Sequence, residues 1–121
     1  MRSKHILMIA ATSGMLSVAL GAFGAHALKD TLTEYGRVET FELGVRYQFF
    51  HTLALLFLGL DAQHKHQLSA GLFISGIVLF SGSLYFLALT NSTTLVLVTP
   101  IGGTLLLAGW GSLLWHFSKR A

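Results

Sequence analysis

Apolar positions gather into four long stretches along the chain, at about 6–28, 41–60, 68–89 and 95–117, with short polar segments between them. Each is close to the roughly twenty residues that a helix needs to cross the hydrocarbon of a bilayer. The pattern predicts an all-α fold, an integral membrane bundle of four transmembrane helices, forming one domain over residues 1–121.

The polar interruptions refine that outline. Lys29 and Asp30 close the first stretch, and Thr31 and Glu34 then have capping-box spacing before a break at Gly36. Residues 29–40 therefore read as a loop or as a short interfacial helix between the first and second spans. Within the second stretch Glu42 and Arg46 stand four apart with the acid first, so they can pair on one helical face at the membrane surface. Pro100 falls in the first two turns of the fourth stretch, where a helix tolerates it. Trp115, followed by His116, Lys119 and Arg120, reads as an interfacial anchor.

Composition excludes a soluble alternative. Only 11% of residues are charged and 53% are hydrophobic, whereas soluble domains are about a quarter charged. Cysteine is absent, which excludes disulfides, thiolate metal sites and cysteine nucleophiles. The net charge of +3 comes from basic residues dispersed at the chain ends and turns, not from a nucleic-acid patch. Arg2, Lys4, Lys65, Lys119 and Arg120 fall on one side of the four crossings, and Lys29, Arg37 and Arg46 on the other. By the positive-inside rule both termini should be cytoplasmic, in a multi-pass protein of the bacterial cytoplasmic (inner) membrane. Arg2 and Lys4 before an apolar run, with Ala25-His26-Ala27 after it, resemble a secretory signal. The run from Ile6 to Leu28 is longer than a signal core, so an uncleaved first span is expected.

Small residues mark the expected helix seams. Ser13, Ser17, Gly21 and Ala25 recur every four residues on the first span; Gly71, Ser75 and Gly82 on the third and Gly102 and Gly109 on the fourth are comparable. In lipid such ridges let helices approach closely, so these nine are expected to be packing residues. His26 and His51 are the ionisable residues of most interest, since antiparallel packing should bring His26 to the level of Tyr47, Gln48 and His51. Ser81, Ser83, Tyr85, Thr99 and Thr104 are expected to share that polar layer. It either holds the helices in register through mutual hydrogen bonds or forms a site for a proton, a small polar ligand or a lipid headgroup. His64 and His66 flank Lys65 in the second turn and read as solvated. No phosphate-binding loop, nucleophile elbow or metal-ligand set stands out, so no catalytic residue, metal or cofactor is expected.

Gly21-Ala22-Phe23-Gly24-Ala25-His26-Ala27-Leu28, Tyr47-Gln48-Phe49-Phe50-His51, the third-span run Gly76 to Ser83, and Thr99-Pro100-Ile101-Gly102-Gly103 occur in a recognisable order. The chain resembles the small bacterial inner-membrane proteins of the domain of unknown function 423 family, nearly end to end. The resemblance implies four membrane helices and no established biochemical activity. Its characteristic positions fall on Gly21, Gly24, His26, Tyr47, Gln48, His51, Pro100 and Gly102.

Two functions compete. The first is a non-enzymatic protein with a structural or interaction role in membrane organisation or envelope integrity, whose partners are the lipid bilayer and a second copy or other membrane proteins, not nucleic acid. The second is a transporter or a small-ligand or lipid-binding protein that uses His26, Tyr47, Gln48 and His51.

Overall fold

A computed structural model describes residues 2–120. Its helices are α1 (Ser3–Ala25), α2 (Lys29–Tyr35), α3 (Val38–Leu60), α4 (Gln67–Thr90) and α5 (Val98–Ser118). The four long ones, of 21 to 24 residues, are long and apolar enough to cross a membrane; at about 1.5 Å per residue each reaches the roughly 30 Å of the hydrocarbon core. The start of α1, the end of α5 and the 61–66 turn lie at one end, called here the terminal end. Helix α2 and the 91–97 turn lie at the far end.

The first connection contains a real helix. α2 starts at Lys29, so Thr31 lies inside it, and the Thr31/Glu34 capping box does not form: Leu28 is the N-cap and gives no side-chain bond. Leu32 anchors α2, almost fully buried against Phe41 and Ala88, while Lys29, Asp30 and Glu34 remain exposed. Gly36 ends the helix at φ 67°. There the amide of Gly36 bonds Thr33 O and that of Arg37 bonds Leu32 O, a left-handed cap that glycine adopts without strain. Pro100 is the third residue of α5, where its missing N–H costs no helical bond.

The long helices pack in chain order, α1 on α3, α3 on α4 and α4 on α5, and α1 forms no packed seam with α4 or α5. They therefore form an open antiparallel row. Small residues set the seams. Gly76 lies beneath Leu106, Gly102 against the Phe80 backbone and Gly109 against the Phe73 ring, which draws α4 and α5 together. Gly44 lies under Tyr85 at the α3–α4 seam, and Gly24 and Gly59 receive Phe41 and Leu7 where α1 meets α3. Towards the terminal end Ile6, Ala10, Leu55, Leu58, Ala70, Phe73, Leu106 and Leu113 form the main core. Outward positions such as Met15, Leu107 and Leu114 are about three-quarters exposed, as suits side chains solvated by lipid.

Candidate functional site

Gln48 and His51 each centre a separate chain of hydrogen bonds among the polar residues of the spans. Gln48 and His51 are three residues apart on α3 and so lie on neighbouring faces. On the face towards α1, Gln48 Nε2 donates to Ser13 O and Ser13 Oγ, both at 3.2 Å, while Ser13 and Thr52 share a hydroxyl bond of 2.6 Å. Tyr85 donates to Gln48 Oε1 at 2.6 Å, so one amide links α1, α3 and α4. Ser81 adds a bond to Gly44 O at 2.7 Å. Such bonds hold helix register where no water competes, each contributing about 0.6 kcal/mol on average.

On the face towards α5, His51 uses both ring nitrogens. Nδ1 lies 2.7 Å from Tyr47 O, which can only accept, and Nε2 lies 3.0 Å from Trp110 Nε1, which can only donate. These partners require the neutral ring with its proton on Nδ1. Phe73 packs against both His51 and Trp110, at ring-centroid distances of 5.5 and 5.0 Å. The Tyr47 ring is partly exposed and stacks near His51 and Phe80.

His26 joins neither chain. α1 ends at Ala25, and the following turn leaves His26 exposed at the far end, so the expected four-residue set reduces to Tyr47, Gln48 and His51. The rest of the expected layer is also divided: Ser83 bonds Thr99 at 2.5 Å, and Thr104 bonds Pro100 O at 2.8 Å within α5. Glu42 and Arg46 meet at 4.0 Å in an exposed pair that adds little stability. Among the described residues every buried side-chain nitrogen and oxygen has a partner.

Because α1 and α4 do not close on each other, an apolar groove of about 780 Å³ runs between them over α3. Met8 and Leu16 form one wall, Ile74, Val78 and Gly82 the other, and Leu55 with Gln48 the floor. The nine expected packing residues divide accordingly. Ser13, Ser17 and Gly21 sit at the α1–α3 seam, with Ala25 exposed at its end, and Gly102 and Gly109 sit at the α4–α5 seam. Gly71 and Gly82 instead face open space and Ser75 is exposed, and of these three Gly82 lines the groove.

The second turn departs from its sequence reading. His66 is buried, not solvated, with Nε2 2.7 Å from Asp61 Oδ2. His64 Nδ1 and Arg120 Nη2 reach the same oxygen at 3.2 and 3.3 Å. His66 foremost, then His64 and the Gln63 amide, hold the Asp61 carboxyl well below the usual carboxylate range.

The profile of a protein family of unknown function, DUF423, matches residues 20–103. The chain is 45% identical to a UPF0382 membrane protein of Haemophilus influenzae over 98% of its own length and 97% of that protein's. It is also 46% identical to the UPF0382 inner membrane protein YgdD of Escherichia coli K12, covering 94% and 89% of the two chains. This chain belongs to the DUF423 family. A Staphylococcus epidermidis UPF0382 membrane protein shares 42% identity over 88% of this chain and 89% of its own. No solved structure matches significantly.

Within this DUF423 chain, sequence reasoning missed Trp110, Ser13 as a polar partner, and the Asp61 cluster. Trp110 gives no local signal, since an aromatic residue in mid-span ordinarily faces lipid. The cluster does give one: an acid followed by histidines at the third and fifth positions, in a turn facing a basic helix end.

Proposed function

We propose that this DUF423 protein is a non-enzymatic protein of the bacterial cytoplasmic membrane, with both termini cytoplasmic, that works by docking a second copy of itself along the α1–α4 groove. The observation that carries this reading is the open row. Two spans flank α3 with no packed seam between them, and the gap is apolar, with Gly82 on its α4 wall open to the close approach of a helix. The mutual bonding of the intramembrane polar groups supports a packing role for them. The inner-membrane name of a relative and the Lys/Arg bias support the placement.

A second reading has support in Gln48 and Tyr85, whose edges line the groove: a lipid or small ligand lies there and reaches the polar layer. Native mass spectrometry of protein released gently from its own membrane separates the two. The docking reading expects a defined oligomer that Gly82→Leu converts to folded monomer. A monomeric wild type that carries a bound small molecule, lost on Gln48→Leu, overturns it in favour of the second.

A further inference from the structure

Away from the groove, a cavity of about 640 Å³ opens at the terminal end between the first turn of α4 and the last turns of α5. Lys65, Lys119, Arg120, His64, His66 and His116 line it, and no carboxylate side chain does. The three imidazoles converge, with His116 centred 5.2 Å from His64 and 4.8 Å from His66. Asp61 stands behind this wall as the acid that binds His66, His64 and Arg120. It is the one acid at this end, since Asp30, Glu34, Glu39 and Glu42 all lie towards the far end. Five Lys and Arg residues share the terminal end with it, so the cavity keeps an excess of positive charge.

Its donors are also placed for an anion. Arg120 reaches Asp61, His64 and His116 through Nη2 alone, and its Nε and Nη1 make no hydrogen bond among the described residues. Leu68 and Ser69, on the cavity wall, belong to the first turn of α4, which has no side-chain cap. First-turn amides add a partial positive charge directed at an anion. The depth is that of a lipid headgroup: Trp115, on the cavity's edge, is 65% exposed with the Lys119 ammonium 4.3 Å from its ring centre, the arrangement of a residue at a membrane–water interface.

We propose that this cavity binds a phosphate group, carried by the headgroup of an anionic lipid. Lys119 supplies a cation, Arg120 supplies the Nε and Nη1 edge it does not spend on Asp61, and Asp61 holds His66, His64 and Arg120 in place through the donors they turn towards it. The same donors recognise free inorganic phosphate, so the test distinguishes the two sources.

The full-length protein in mild detergent is titrated by native mass spectrometry with phosphatidylglycerol, with phosphatidylcholine and, separately, with inorganic phosphate. Wild type should retain phosphatidylglycerol over phosphatidylcholine. Lys119→Gln/Arg120→Gln, at an exposed helix end where folding is not at stake, should weaken that retention on the order of twenty-fold. Lys29→Gln/Arg46→Gln at the far end should leave it unchanged. Phosphate bound with the same dependence on Lys119 and Arg120, and no preference between the lipids, would overturn the lipid source and leave a soluble anion in its place. No anion retained, or equal losses from both double variants, would overturn the site. The variants leave the α1–α4 groove intact, so this outcome and that of the docking reading are independent.

Discussion

The two outer helices of the row meet their neighbours in different ways. α5 is drawn onto α4 by three glycines, Gly76, Gly102 and Gly109, each filled by a side chain or backbone of the opposing helix. α1 packs on α3 through small and hydroxylated residues and stops short of α4, leaving the groove. On α4 the same residue type therefore does two things: Gly76 is covered within the chain, while Gly71 and Gly82 are open. Small residues thus mark where a helix can approach, and the row decides which of those places the chain fills itself.

The filled seam should be the least tolerant of substitution. A Cβ at Gly102 would overlap the Phe80 backbone, which has no room to move. Gly102→Leu is expected to cost about 3 kcal/mol or more, visible as a large loss of thermal stability in detergent. Gly71→Leu and Gly111→Leu, which meet no neighbouring atom, should stay within about 0.5 kcal/mol of wild type. Equal damage at all three positions would remove the distinction between the filled and open faces.

Next in size is Gln48→Leu, which strips the shared partner from Ser13 and Tyr85. It should cost about 1–2 kcal/mol, as expected for a buried bond whose partners are left unmade. A double-mutant cycle with Tyr85→Phe should show coupling, because the two residues meet directly. Trp110→Phe keeps the aromatic packing on Phe73 but removes the donor to His51. Its expected cost is smaller, about 1 kcal/mol or less, and additivity with Gln48→Leu would check that the two polar chains are separate.

The smallest expected effect is at the terminal end. With its pKa depressed in the fold, the Asp61 carboxylate contributes stability that is fully present above its unfolded value, near about 3.9, and is lost as pH falls below it. Acid titration should therefore loosen the 61–66 turn from the end of α5, read by hydrogen exchange of that turn. Asp61→Asn should flatten the response.

The spans were legible because length and scarcity of charge are sufficient signals of crossing helices, and the stop at Gly36 was legible because glycine alone takes φ 67° at little cost. Boundaries were less so: α1 ends at Ala25 rather than Leu28, and α5 begins at Val98 rather than Leu95. That difference removed His26 from the site, since it is the C-cap of α1, the first of three turn residues, and its non-helical backbone turns off the helix that carries Ser13 and Gly21. Gln48 and His51 were visible as polar groups in a span, but not their assignment to different chains, which follows from the open row. Helix periodicity records which faces are small or polar; it does not record whether α1 closes on α4. His66 is held by Asp61, and Arg120 reaches the same carboxylate from beyond the whole of α4 and α5 in sequence, joined to it only by the antiparallel return.

Because the chain has no cysteine, disulfide mapping in native membranes tests the docking claim most directly. Single cysteines at Val78 and Gly82, on the groove, should give a covalent dimer on mild oxidation, while Leu107→Cys and Leu114→Cys, on the outward face of α5, should not. Crosslinking at the α5 positions with none at Val78 or Gly82 would contradict the account.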